Sequence, residues 1–221
     1  QAGISNTAVA TTALGYQSIF SNTNIDFNTS LGFKSLYSNT TGVNTTAIGN
    51  NTLWSNTTGY WNTSLGNNSL YSNTTGSGNS AIGNNAFYSN LTGSWNTAIG
   101  SGALYSLTSW HRNTAIGYQA LYNGTAARNT AMGYKALYPT SGGPITAIGC
   151  EALYSNTTGT ENTAAGNNAL YTNSTGLWIT ALGSGSLYYN TVSYNTAIGG
   201  SALNKNTTGA NTCAIGYIAL E

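Results

Sequence analysis

The side chains that could carry acid-base, metal or electrophile chemistry are few. Asp26, Glu151, Glu161, Glu221, His111, Lys34, Lys135, Lys205, Arg112 and Arg128 are the whole set outside tyrosine and cysteine. Catalysis needs such groups to converge on a cleft, and here they are scattered singly along the chain. His111 sits in TSWHRN beside Arg112, with no second base or ligand in its segment, and reads as a solvated turn histidine. Glu151 and Glu161 fall in separate segments. The glycines do not form G-x-x-x-x-G-K-[ST], so they cradle no phosphate. No catalytic residue, metal ligand or cofactor is expected, and the chain is not expected to be an enzyme.

Recognition chemistry is better represented. Asn39, Asn56, Asn73, Asn90, Asn156, Asn173 and Asn206 head N-x-[ST] triplets inside near-identical turns such as NTTG, NLTG and NSTG. The triplet is the glycan acceptor of secreted proteins, which makes these the candidate N-glycosylation sites. The competing reading is that Asn and Thr cap turns and form amide ladders. Trp61, Trp95 and Trp178 recur just before one recurring motif, with Tyr60 and Tyr194 alongside. Exposed rings stack on sugar faces, so this edge is the candidate carbohydrate contact, the alternative being packing against a neighbouring loop. A further aromatic series, Tyr37, Trp54, Tyr71, Tyr88, Tyr105, Tyr122, Tyr138, Tyr154, Tyr171 and Tyr188, calls for packing between chains of an oligomer or for an exposed ladder.

These series exist because the chain repeats. A glycine closing an A-I-G or S-L-G element returns at Gly15, Gly32, Gly49, Gly66, Gly83, Gly100, Gly117, Gly133, Gly149, Gly166, Gly183, Gly199 and Gly216. The interval is 17 residues, except for 16 from Gly117 to Gly133, Gly133 to Gly149 and Gly183 to Gly199. With that glycine as position 5, the template is N-T-A-I-G-x-x-A-L-Y-S-N-T-T-G-x-x. Positions 2, 3, 4, 8, 9 and 10 hardly vary. Variation and the lost residues fall in positions 11 to 17, which are rich in turn residues. A fixed period of this kind is the mark of a stacked array, so residues 1–221 read as a single repeat array with no separate second domain.

Composition narrows the partners. Charged residues are 4% of the chain and the formal net charge is +1. No basic surface exists for nucleic acid and no polybasic stretch for anionic lipid. No apolar run approaches the roughly 20 residues of a membrane helix, so membrane insertion of this segment is not expected. Hydrophobic residues are 40% and sit in fixed columns, which argues for folding over disorder. A surface of Asn, Thr, Ser and Tyr fits an extracellular fibre. The two cysteines, Cys150 and Cys213, lie four copies apart. On stacked rungs about 4.8 Å apart they are too distant for a disulfide.

A helix is disfavoured by the recurring glycines and the lack of a sustained 3.6-residue period. The expected fold is all-β: a parallel β-solenoid (β-roll) of thirteen copies, forming a rod roughly 60 Å long. Two short strands per copy are expected, at positions 1 to 4 and 8 to 10. Alternation would put Thr114 and Ile116 on one face and Ala115 on the other, and Leu121 opposite Ala120 and Tyr122. The Thr of position 2, sharing a face with the aliphatic position 4, then reads as internal. Apolar columns for more than one interior imply a second buried surface, between protomers.

The core N-T-A-I-G-x-x-A-L, as in NTAIGYQAL at 113–121 and NTAIGSGAL at 96–104, resembles the head repeats of trimeric autotransporter adhesins and similar arrays in phage-type fibre proteins. The resemblance covers positions 1 to 9 of every copy and implies a trimerising β-roll. The S-N-T-T-G loop is a departure from it. The expected function is therefore a structural extracellular fibre or filament protein with an adhesive role, on a cell or virion surface. Its expected partners are itself, as a trimer or an end-to-end filament, and glycans or a host surface. The array opens and closes inside the pattern, and open strand edges call either for more chain beyond them or for a subunit stacked end to end. The alternative is a carbohydrate- or ice-binding solenoid module.

Overall fold

A computed structural model describes residues 10–21, 23 and 27–221; Asp26 lies outside the described residues. The protein is an all-β parallel β-solenoid of about thirteen turns. It divides into two compact units, residues 1–112 and 113–221. The first carries β1 (Thr12–Leu14), β2 (Thr29–Leu31), β3 (Thr46–Ile48), β4 (Thr63–Leu65), β5 (Ser80–Ile82) and β6 (Thr97–Ile99). The second carries β7 (Thr114–Ile116), β8 (Asn123–Gly124), β9 (Thr130–Met132), β10 (Pro139–Thr140), β11 (Thr146–Ile148), β12 (Thr163–Ala165), β13 (Thr180–Leu182), β14 (Thr196–Ile198) and β15 (Cys213–Ile215). Within each unit, strands of successive copies pair in parallel with like positions opposed, as in Thr46↔Thr63, Ala47↔Ser64 and Ile48↔Leu65. β8 and β10 form a small separate parallel pair. They lie in two of the copies shortened to 16 residues, where the polar return straightens.

Apart from β8 and β10, only positions 2 to 4 are strand. The second strand expected at positions 8 to 10 is not formed, because the backbone there turns left-handed at position 9. Leu36, Leu53 and Leu70 have φ of 52°, 50° and 49°, and position 7 is left-handed too, as at Asn51 and Asn68, both 50°. An L-residue held there costs roughly 1–2 kcal/mol. The conformation breaks the strand alternation and brings two consecutive side chains inside: Ala120 and Leu121 are both fully buried. Burial of a leucine contributes about 1.5–3 kcal/mol, enough to offset the strain.

The turns are nonetheless bonded from copy to copy. The N–H of Gly49 donates to the carbonyl of Leu31 (2.8 Å) and that of Asn51 to Phe33 (2.9 Å), both in the preceding copy. Leu53 donates to Ser69 (3.1 Å), Ser55 to Tyr71 (3.0 Å) and Thr57 to Thr74 (2.9 Å), all in the following copy. Buried backbone polar groups are thereby paired without regular secondary structure.

The strands face opposite to expectation. Ala47, Ala81 and Ala98 of position 3 are fully buried, while Leu65 (43% exposed), Ile82 (37%) and Ile99 (37%) of position 4 point out. The Thr of position 2 shares that outer face, so it is not internal. The reason is space. The interior already holds the position-9 column of Leu36, Leu53, Leu70, Phe87 and Leu104, and the facing strand has room only for Ala or Ser. Where Ser replaces Ala at both inward positions, the hydroxyls pair, as Ser64 Oγ donates to Ser69 Oγ at 2.7 Å.

The position-5 glycine sets the rise. Its φ is +131° at Gly49, and a Cβ there would run into the carbonyl oxygen of Gly66; at Gly83 the corresponding approach is 2.7 Å, whereas Gly216, with no copy stacked after it among the described residues, is open. Gly49→Ala is therefore expected to cost roughly 2–5 kcal/mol, strain and overlap together. Gly200→Ala, whose Cβ would meet nothing nearer than the Tyr217 ring at 3.4 Å, is expected to stay within about 0.5 kcal/mol. Denaturant melts of the two variants make the comparison.

Candidate functional site

Three columns and one outer face gather the residues with recognition chemistry. The position-12 asparagines are not on a surface loop: Asn39, Asn56, Asn73, Asn90, Asn156 and Asn173 are fully buried, and Asn206 is half-buried. In the first unit they form an amide ladder. Asn56 Nδ2 donates to Asn39 Oδ1 (2.7 Å), Asn73 to Asn56 (2.7 Å) and Asn90 to Asn73 (2.6 Å). The second Nδ2 hydrogen reaches the carbonyl of the position-15 glycine, as from Asn73 to Gly76 at 3.0 Å. In the second unit Asn173 donates to Asn156 (3.2 Å) and Asn206 to Asn190 (3.1 Å). A glycan on such a nitrogen would displace one of these bonds and would need space that the interior lacks.

A second amide column at position 1 closes the same corner. Asn62 Oδ1 accepts from the N–H of Asn79 (2.9 Å) while its Nδ2 donates to Gly76 O (2.8 Å).

The position-10 rings stack on one another. In the first unit Phe20, Tyr37, Trp54, Tyr71, Tyr88 and Tyr105 follow with centroids 5.1–5.7 Å apart and planes within 8° of parallel. In the second, Tyr122, Tyr138, Tyr154, Tyr171 and Tyr188 follow at 5.0–5.7 Å. These rings are half-buried. Lys34 and Lys135 lay their ammonium groups between ring columns, Lys34 at 5.4 Å from Phe33 and 5.7 Å from Tyr37, and Lys135 at 5.3 Å from Tyr134 and 5.8 Å from Tyr138. Burial, then the neighbouring phenols Tyr71 and Tyr105, push the Tyr88 hydroxyl above its ordinary pKa. Burial, then the Glu151 carboxylate, does the same to Tyr171.

Of the three tryptophans, Trp61 and Trp95 come together with centroids 6.2 Å apart, and Tyr60 meets Trp61 edge-on at 5.0 Å. Trp178, 58% exposed, stands in the other unit, with Glu161 and Tyr194 at its position in the adjacent copies. His111 is more than a solvated turn residue: its Nδ1 accepts the N–H of Ser94 at 2.9 Å. It thereby fills the role that Ser77 and Ser94 hydroxyls play one and two copies earlier.

Glu151 and Glu161 sit at positions 7 and 17, in separate segments of one coil. Lys205 pairs with Glu221 at 3.0 Å in solvent. Cys150 and Cys213 are free thiols. Among the described residues no group of three His, Cys, Asp or Glu gathers, and no helix is long and apolar enough to cross a membrane. Comparison with protein-family models, curated proteins and solved structures gives no match.

Sequence reasoning missed the outer face of the strands. In every copy it offers Thr, Ser or Cys at position 2 and an aliphatic residue at position 4, with no charge. The signal was the small residue at position 3, which marks the tightly packed side.

Two outcomes follow from the ladders. Asn73→Ala leaves the Asn56 oxygen, the Gly76 carbonyl and the Asn90 amide short of a partner, and is expected to cost about 3 kcal/mol in a denaturant melt. For Tyr88 and Tyr171, a raised folded pKa favours the neutral phenol. Their contribution is therefore complete below about pH 10 and is lost as pH rises through the folded value. Melting temperature against pH, read beside phenolate absorbance, should stay level up to that point and fall above it.

Proposed function

We propose that this chain is a structural segment of an extracellular fibre, and that its copies associate side by side through the outer face of their strands. The observation that supports this is the outward Thr-x-Ile face. Position 4 exposes Leu31, Leu65, Ile82, Ile99, Met132, Ile148 and Ile198 at 37–43%, in a regular parallel register. Soluble proteins rarely leave a contiguous apolar patch without a partner. With no like charges to repel, two such faces approach freely, and a symmetric oligomer buries them together. The similarity of N-T-A-I-G-x-x-A-L to adhesin-head and phage-type fibre repeats points to three chains around one axis. An adhesive role on a cell or virion surface follows from the same likeness.

A second reading uses the same face. With its Thr column outward, it offers hydroxyls and methyls in a regular grid, the kind of surface that would order water at an ice face. The two readings exclude each other, since a face covered by a neighbour meets no ice.

Light scattering on purified protein should return a multiple of 22.8 kDa. The double variant Leu65→Lys/Ile99→Lys, with an unaltered copy between the two new charges, should return about one chain mass, with the solenoid's circular dichroism retained, because these side chains are exposed in the single chain. A wild-type monomer that depresses the freezing point would favour the ice reading.

A further inference from the structure

The edge carrying Tyr60, Trp61 and Trp95 is built in a way that the repeat does not require. Position 17 is left-handed in most copies and projects its side chain outward, as at Trp61 (φ 56°) and Trp95 (φ 62°). Between them, in the intervening copy, stands Gly78, also left-handed at φ +68°. A Cβ on Gly78 would lie 2.6 Å from Cε3 and 2.8 Å from Cζ3 of Trp95. The missing side chain thus makes the space in which the Trp95 indole lies down along the coil. That brings it to 6.2 Å from Trp61, tilted by 54°. Tyr60 braces Trp61 from the side at 82°.

The backbone under the rings is held firmly. Trp61 N–H donates to Val43 O (3.1 Å), Gly78 to Tyr60 O (3.0 Å) and Trp95 to Ser77 O (3.0 Å). The hydroxyl of Ser77 accepts from Tyr60 N–H at 3.1 Å, and that of Ser94 from Ser77 N–H at 3.0 Å. Despite this support the rings stay open to solvent: Trp61 and Trp95 are each 55% exposed and Tyr60 is 43% exposed.

The occupant can be argued from size and charge. Three rings exposed to this degree present roughly 300 Å², well short of the about 800 Å² that each partner contributes to a stable protein interface. Positions 16 and 17 of these three copies, Tyr60, Trp61, Ser77, Gly78, Ser94 and Trp95, include no ionised side chain, and one cation, Arg112, stands at position 17 of the following copy, its backbone N–H donating to Ser94 O at 3.2 Å. A small, uncharged ligand with one apolar face fits: a pyranose whose axial C–H bonds lie together on one side, while its hydroxyls at the rim meet indole N–H groups and water. We propose that Tyr60, Trp61 and Trp95 form a glycan-binding platform for neutral, gluco-configured sugar chains. The platform is separate from the strand face, and its existence does not depend on whether copies associate there.

Cellohexaose is the probe, titrated calorimetrically into the purified chain with saturation-transfer NMR on the same samples. Saturable binding is expected, with the strongest transfer to the axial ring protons. Trp61→Ala and Trp95→Ala should each weaken it about tenfold. Gly78→Ala should do the same with both indoles still present, since it displaces Trp95. Trp178→Ala should leave it unchanged. Circular dichroism melts confirm that each variant is folded, and Trp61→Ala and Trp95→Ala remove only exposed rings. Absence of saturable binding by the wild-type chain would overturn the proposal, as would undiminished binding by the Trp61→Ala/Trp95→Ala double variant.

Discussion

Everything in this fold follows from stacking a copy on its like at the spacing of one β-strand. At about 4.8 Å per rung each side chain meets the same position of the next copy, so every column has to be compatible with itself. An ionised column fails that test. Two unit charges at this distance repel by about 3 kcal/mol at an effective dielectric near 20. Asparagine passes it, because one amide both donates and accepts, and Asn56, Asn73 and Asn90 join head to tail while the second N–H of each holds a glycine carbonyl. Serine and threonine pass for the same reason. Aromatic rings pass by stacking. The low charge content, which reads in the sequence as a mark of environment, is thus required by the stack itself. At position 7 the ionised residues alternate, as Gln119, Lys135 and Glu151 follow one another, whereas Arg112 and Arg128 of consecutive copies both take the exposed position 17, where solvent screens them.

The same requirement explains the glycines. A carbonyl of the next copy occupies the place where a Cβ would stand at position 5, so the corner holds no exception in thirteen copies. Position 15 is under similar pressure where the amide ladder runs: a Cβ on Gly76 would meet the amides of Asn73 and Asn90. Two of the three shortened copies change course earlier, at positions 11 and 12, where β8 and β10 take the place of the turn.

How much of this could be read from the letters depended on whether the residue type betrays its backbone. The period, the strand at positions 2 to 4 and the glycine corner were legible, because columns of Thr, Ala, Ile and Gly have direct geometric meaning. The second strand was misread. Leucine at position 9 looks like a strand residue and is held left-handed, and only the Asn and Gly at position 7 hinted at such a backbone. That error propagated to the strand face. Without the left-handed turn, the interior had room for Thr and Ile; with it, Leu53 and its equivalents fill the coil and Ala47 closes it. The sequons posed a different difficulty. Asn73-Thr74-Thr75 is spelled the same way whether its amide carries a sugar or bonds to Asn56, and burial alone separates the two. The pairing of Trp61 with Trp95 was hidden too, since it depends on a single absent side chain at Gly78.

On the proposed reading the outer faces divide the labour. The strand face is uncharged, apolar and regular along each unit, which suits joining chains. The tyrosine columns brace each unit along its stack, and the tryptophan edge remains open to a ligand. Association through the strand face is the central proposal, and electron cryo-microscopy of the purified chain tests it most directly. A cross-section holding more than one chain, with the Thr-x-Ile faces turned toward a shared axis, is the predicted result. Particles with a single coil in cross-section and those faces bare to solvent would contradict it.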